Sequence, residues 1–215
     1  MADNSIYLDR KNALRYMGFR GEPDKVFSAA VAECEAELSK AMTPRCVWVV
    51  RERSSLKEVL LGFDVYRHLR GCPRVIVLAA TLGSATDALI RKYQAVDVTK
   101  ALITDAEASA AIEKYCDYIE EEIAGAVAGN LTWRFSPGYG DFPLEAQTAL
   151  LTVADAERKI GLFSGESYML APAKSVTAVI GLSGRRLRRE KNSCAVCGMK
   201  DTCEYRKEGT RCGYE

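Results

Sequence analysis

Arg134-Phe-Ser-Pro-Gly-Tyr-Gly-Asp-Phe-Pro143 gathers a cation, two turn glycines and a phenol into one short loop. Gly138 and Gly140 admit positive φ or the close approach of a ligand to the backbone, and Pro137 and Pro143 stiffen the path between them. Arg134 offers a planar fork suited to a carboxylate. Tyr139 offers a hydrogen bond and a ring face that attracts a sulfonium or ammonium. Two readings follow from the residues alone: a ligand-binding loop, or a tight strand-to-helix turn closed by an arginine salt bridge.

Working outward, Gly165-Glu-Ser-Tyr-Met-Leu-Ala-Pro-Ala-Lys-Ser-Val-Thr177 follows downstream, and Ile112-Glu-Lys-Tyr-Cys-Asp-Tyr-Ile119 precedes the loop on a helical pattern. In this order and at these distances the three segments resemble the reactivation domain of cobalamin-dependent methionine synthase. The matching positions are Arg134, Gly138 and Tyr139, then Glu166, Ser167, Met169, Pro172, Ser175 and Val176. The resemblance runs from about residue 73 to 182. It implies S-adenosylmethionine bound in a shallow groove and presented to a corrinoid whose cobalt has left the catalytic cycle. It also implies that Arg134, Ser136, Gly138, Tyr139, Glu113 and Glu166 contact the ligand. The chain is too short to carry the homocysteine, folate and cobalamin modules of a whole methionine synthase. The activity implied is therefore exercised in trans, on a separate corrinoid protein or cobalamin-dependent methyltransferase, with a flavodoxin or ferredoxin as electron donor.

The chemistry of that ligand suits the residues. S-adenosylmethionine carries a carboxylate, an ammonium and a sulfonium, so Arg134 is expected to clamp the carboxylate and Glu113 to face a positive centre. No protein nucleophile is required, because the cobalt attacks and the protein positions donor and acceptor. The chain also departs from the family. Asp141-Phe142-Pro143-Leu144 stands where a Cys-Pro-acid-His run is expected, the lone histidine is His68, and Ser183-Gly184-Arg185 offers no counterpart to a family tyrosine after the last strand.

With 215 residues, 48% hydrophobic and 27% charged, the chain has the make-up of an ordinary globular domain, and a net charge of +1 argues against nucleic-acid binding through bulk charge. No apolar run reaches membrane-spanning length and the N-terminus lacks a signal-peptide pattern, so a cytoplasmic protein is expected.

Periodicity predicts a helix from 23 to 41 with Val26, Ala30, Val31, Cys34 and Leu38 on one face, and strands at 46–50, 74–79 and 175–182. A capping box at Ser84 and Asp87 is expected to open another helix. The pattern of Ile112, Cys116, Ile119, Ile123 and Val127 predicts a helix over 106–127, and a further one begins at Asp141 or Phe142 and ends at Gly161. The order is not a regular βαβ series. Together with the family resemblance, this implies an α+β fold, a largely antiparallel twisted sheet packed with helices, divided into an N-terminal arm (1–21), the main domain (22–184) and a basic, cysteine-rich tail (185–215). Cys34, Cys46, Cys72 and Cys116 read as core residues.

In the tail, Cys194, Cys197, Cys203 and Cys212 form C-x2-C-x5-C-x8-C after a basic run at 185–189. Thiolates at such spacing suit tetrahedral zinc or an iron–sulfur cluster; free or redox thiols are the alternative. An iron–sulfur cluster would give a reductive activator its own electron relay, and zinc a structural clip. Two other functions fit parts of the chain: a non-catalytic partner of a corrinoid methyltransferase, and a zinc knuckle using Arg185, Arg186, Arg188 and Arg189 against phosphates.

Overall fold

The computed structural model describes residues 4–19 and 21–185, and the four tail cysteines with most of the basic run lie outside the described residues. After a short 3-10 turn come α1 (Arg10–Tyr16), α2 (Lys25–Ala41), β1 (Arg45–Glu52), α3 (Phe63–His68), β2 (Arg74–Thr81), α4 (Ser84–Val96) and α5 (Val98–Ala126). β3 (Asn130–Leu131), α6 (Ala146–Ala154), α7 (Ala156–Ile160), β4 (Phe163–Ser164), β5 (Leu170–Ala171) and β6 (Ser175–Ser183) complete it.

The main sheet runs β1-β2-β6-β3 with every pairing antiparallel, and β4 and β5 form a separate two-stranded ribbon. β2 is buried from Val75 to Thr81, as a central strand covered on both faces must be. Its alternation divides the core: Ile76, Leu78 and Ala80 join Ile180 beneath α5, whereas Val75, Val77 and Ala79 join Val179 beneath α3, α6 and α7. The α+β architecture thus follows the strand patterns, and α5, with Leu38 of α2 and Ile90 of α4, covers one face of the core.

α5 starts earlier than its apolar repeat suggests, because the Asp97 side chain accepts the Lys100 N–H at 3.0 Å and caps it there. Ala106 and Ala110 keep its surface low where Ala13 of α1 lies against it. The arm that the sequence leaves without a pattern is therefore a helix docked on α5. Three local expectations are corrected. Val26 is 82% exposed and sits off the buried face of α2. Gly83, not Ser84, caps α4, and the Asp87 carboxylate serves the Ala173 N–H at 2.8 Å instead of closing a capping box. The helix expected from Asp141 begins only at Ala146 and breaks at Asp155, which takes φ 56° between α6 and α7. Gly161 does end α7, with φ 69°. Cys34, Cys72 and Cys116 are buried and Cys46 is half-buried, all as free thiols. Among the described residues no helix is long and apolar enough to cross a membrane.

Candidate functional site

The loop of interest leaves the sheet because of a proline. β3 pairs with the end of β6 through Leu131 and Leu182, and Phe135 then exchanges both backbone bonds with Val179 at 2.9 Å. Pro137, two residues past the Phe135 bridge, has no N–H with which to extend the pairing. Beyond it the chain folds on itself, with the Gly138 N–H donating to Phe142 O at 2.8 Å and the Phe142 N–H to Tyr139 O at 3.0 Å. Gly138 and Gly140 take φ 87° and 55°. A Cβ on Gly140 would lie 2.3 Å from the Asp64 carboxylate, so this turn requires glycine for space as well as for φ.

Asp141 locks the loop to α3. Its carboxylate accepts the N–H groups of Phe63 at 2.6 Å and Asp64 at 2.8 Å, and these bonds hold its pKa below the ordinary carboxylate value. Phe142 is buried beside them. Tyr139 remains 61% exposed at the crest, its ring 6.2 Å from that of Phe135. Under the loop's first residues lies His68, stacked on Phe135 at 4.9 Å, with Nε2 2.9 Å from both Trp133 O and Thr132 Oγ1. Burial lowers its pKa to about 4. The lone histidine is a neutral packing group, a role that nothing in its sequence context announces.

Arg134 and Glu113, far apart in sequence, meet. The guanidinium donates to Glu113 at 2.6 Å and to Asp117 and Glu120 at 2.5 Å each, and its side chain is only 18% exposed. The three carboxylates rise along one stripe of α5 at the i, i+4, i+7 spacing that a helix presents on one side. Burial pushes the Glu120 carboxyl above its ordinary value, and Arg134 offsets only part of that rise. The salt-bridged turn foreseen as the plainer reading is thus present, and it is made by the residue expected to clamp a ligand carboxylate. Acids that look like a solvated face are a binding set for an arginine.

A groove of about 250 Å³ opens beside this cluster, lined by Tyr16, Ser109, Ile112, Glu113, Lys174 and Ser175 among others. One wall is α5 and the other the entry to β6, and α1 contributes Tyr16 at the rim. Glu113 belongs both to the groove and to the Arg134 cluster. Ser136, Gly138 and Tyr139 lie on the loop that follows Arg134, with Ser136 O accepting the Tyr139 N–H at 3.2 Å. Of the six residues expected to contact a ligand, only Glu113 lines the groove; Arg134 joins it through Glu113, Ser136, Gly138 and Tyr139 are absent from the lining, and so is Glu166, which stands exposed in the turn joining β4 to β5. Tyr16, Ser109 and Lys174 were missed by sequence reasoning. Lys174 lies inside the quoted 165–177 stretch, but its direction is set by tertiary packing. Among the described residues no group of histidine, cysteine, aspartate and glutamate side chains is arranged to hold a metal.

No family model matches the chain, and no curated protein matches it. Among solved structures, the fold is shared with a crystal structure of the MetH reactivation domain bound to AdoHcy. The similarity has a TM-score of 0.60 at 15% identity and covers 96% of this chain and 83% of that one.

Proposed function

We propose that the chain binds S-adenosylmethionine in the groove between α5 and the entry to β6, and supports reductive methylation of an oxidised corrinoid held by a separate protein. The observation that carries this reading is the pairing of Glu113, which lines the groove, with Arg134 at the start of the glycine loop, on a fold shared with a reactivation domain solved with AdoHcy. Glu113 and the Tyr139 ring present an anion and a π face to the positive centres of the ligand. Exposed Gly138 and half-buried Ser136 are the backbone positions assigned to the ligand, through groups other than the Gly138 N–H and Ser136 O that close the turn. Arg134 holds the loop against α5 and keeps Glu113 in place. Glu166 serves at most the outer rim.

When the corrinoid is docked, one electron returns its cobalt to the nucleophilic state. The electron pair of that cobalt would then form a bond to the methyl carbon as the sulfur–carbon bond breaks, the sulfur keeping its bonding pair as the thioether of S-adenosylhomocysteine. The chain's own contribution is to orient the sulfonium and to exclude competing nucleophiles, so no general base is needed. The same proposal gives Cys194, Cys197, Cys203 and Cys212 to an iron–sulfur relay, with a flavodoxin or ferredoxin upstream. Stoichiometric zinc without iron in anaerobically purified protein would remove the relay.

The test is methyl transfer under anaerobic conditions, with free cob(II)alamin, a titanium(III) reductant and methyl-labelled S-adenosylmethionine. Label entering methylcobalamin faster with the protein than without it supports the proposal. Equal rates, with saturable ligand binding intact, would reduce the chain to a binding partner without turnover.

A further inference from the structure

The geometry points to Lys174, and not Arg134, as the residue that reads the carboxylate on the amino-acid arm of the ligand; this inference rests on the S-adenosylmethionine reading above. The groove holds about 250 Å³, room for an amino-acid-sized group but less than the pockets that enclose drug-sized molecules, so the nucleoside extends outside it. Its walls carry opposite charges: Lys174 at the entry to β6 is the one cation among the described lining residues, and Glu113 on α5 is the anion. A zwitterionic α-amino acid group is the complement of that pair.

Lys174 is built into its position. Its Nζ donates to Asp105 at 2.8 Å and to Ser109 Oγ at 2.9 Å, and the side chain is only 13% exposed. An ammonium has three donors, so one remains beyond these two partners. The backbone beneath it is pinned on both sides: Lys174 O accepts the Leu82 N–H at 2.9 Å, the Ala173 N–H donates to Asp87 at 2.8 Å, and Ser175 Oγ donates to Pro172 O at 2.6 Å. The ammonium is therefore held ready, and its ordering is not charged against binding.

Arg134 is placed otherwise. One guanidinium faces three carboxylates, which leaves the cluster with an excess of negative charge. A ligand carboxylate entering there meets net repulsion, while a sulfonium or ammonium meets attraction. Lys174 has a single carboxylate partner, Asp105, which is itself 54% exposed and screened by water. The two clusters thus sort the ligand by sign, cationic centres toward Glu113 and the carboxylate toward Lys174.

The experiment compares S-adenosylmethionine with its decarboxylated analogue, by calorimetry on the full chain, in wild type, Lys174→Met and Lys174→Arg, with thermal melts confirming that each is folded. Wild type is expected to bind S-adenosylmethionine at least tenfold more tightly than the analogue. Lys174→Met should lose most of that ratio by weakening only the carboxylated ligand, and Lys174→Arg should recover part of it. A ratio unchanged in a folded Lys174→Met protein would overturn the inference while leaving the binding function standing. Binding of neither ligand by wild type would overturn both.

Discussion

Glu107 and Glu113 stand within two turns of each other on α5, yet the fold treats their carboxyl groups in opposite ways. Glu113 shares the Arg134 guanidinium with Asp117 and Glu120 and borders the groove. Glu107 is fully buried under α1, and neither of its oxygens has a hydrogen-bond partner. The nearby guanidinium of Arg10 is already taken by Glu35. Burial, with Glu35 adding to it, pushes the Glu107 pKa up to about 8, so this side chain is held as a neutral acid. The fold supplies the half-buried Glu113 with a cation, whereas the fully buried Glu107 lacks one and burial favours its protonated form. Only the first arrangement equips a site for a cationic ligand.

The largest expected effect breaks the contrast from the Glu107 side. Its pKa is raised in the folded state, so its contribution to stability is whole below the unfolded value near 4.5 and is lost as pH rises toward 8. The loss over that window is on the order of 4 kcal/mol. Denaturant melts of wild type and Glu107→Gln across this range should diverge, wild type weakening and the variant staying level. Parallel curves would mean that Glu107 is hydrated and charged in the folded protein.

Next comes the Arg134 side. Arg134→Met leaves three carboxylates facing one another, two of them mostly shielded, and should cost roughly 3 kcal/mol by the usual penalty for half of a buried ion pair. Adding Glu120→Gln should restore part of this stability, as a double-mutant cycle would show. A cost near zero would return Arg134 to the role of a loosely held ligand clamp.

His68, half-buried, sharpens the comparison as a third titratable group, this time basic. Its folded pKa lies below the unfolded value, so stability is present above about 6.5 and lost as pH falls toward 4, by about 2 kcal/mol. His68→Phe should flatten that acid limb. An unchanged limb would place its cause in the carboxylates. The smallest effect is expected at Gly140→Ala, where φ 55° and the nearby Asp64 carboxylate should cost about 1 kcal/mol. The ligand affinity of that variant should fall further than its stability alone predicts, because the turn carrying Tyr139 is displaced.

Much of the fold is legible from local pattern. The alternation of 175–182, the continuous apolar run at 74–79 and the repeat of Ile112, Cys116, Ile119 and Ile123 all become elements with the expected faces. Boundaries fail where a long-range bond overrides local chemistry. Asp87 is drawn from its helix by the Ala173 N–H, and Asp141 caps α3 instead of opening the helix that follows it. The site is legible in part for the same reason. The glycines of the loop declare their positive φ, and Glu113 and Arg134 were singled out separately, but their pairing with Asp117 and Glu120 depends on how β3 and β6 set the loop against α5. Lys174 and Tyr16 reach the groove from segments whose own patterns are silent about it.

The most direct measurement is calorimetric titration of S-adenosylmethionine into anaerobically prepared wild type and Glu113→Gln. The account predicts saturable binding by wild type and at least a tenfold loss in a variant that melts normally. No binding by wild type, or equal binding by both proteins, would contradict it.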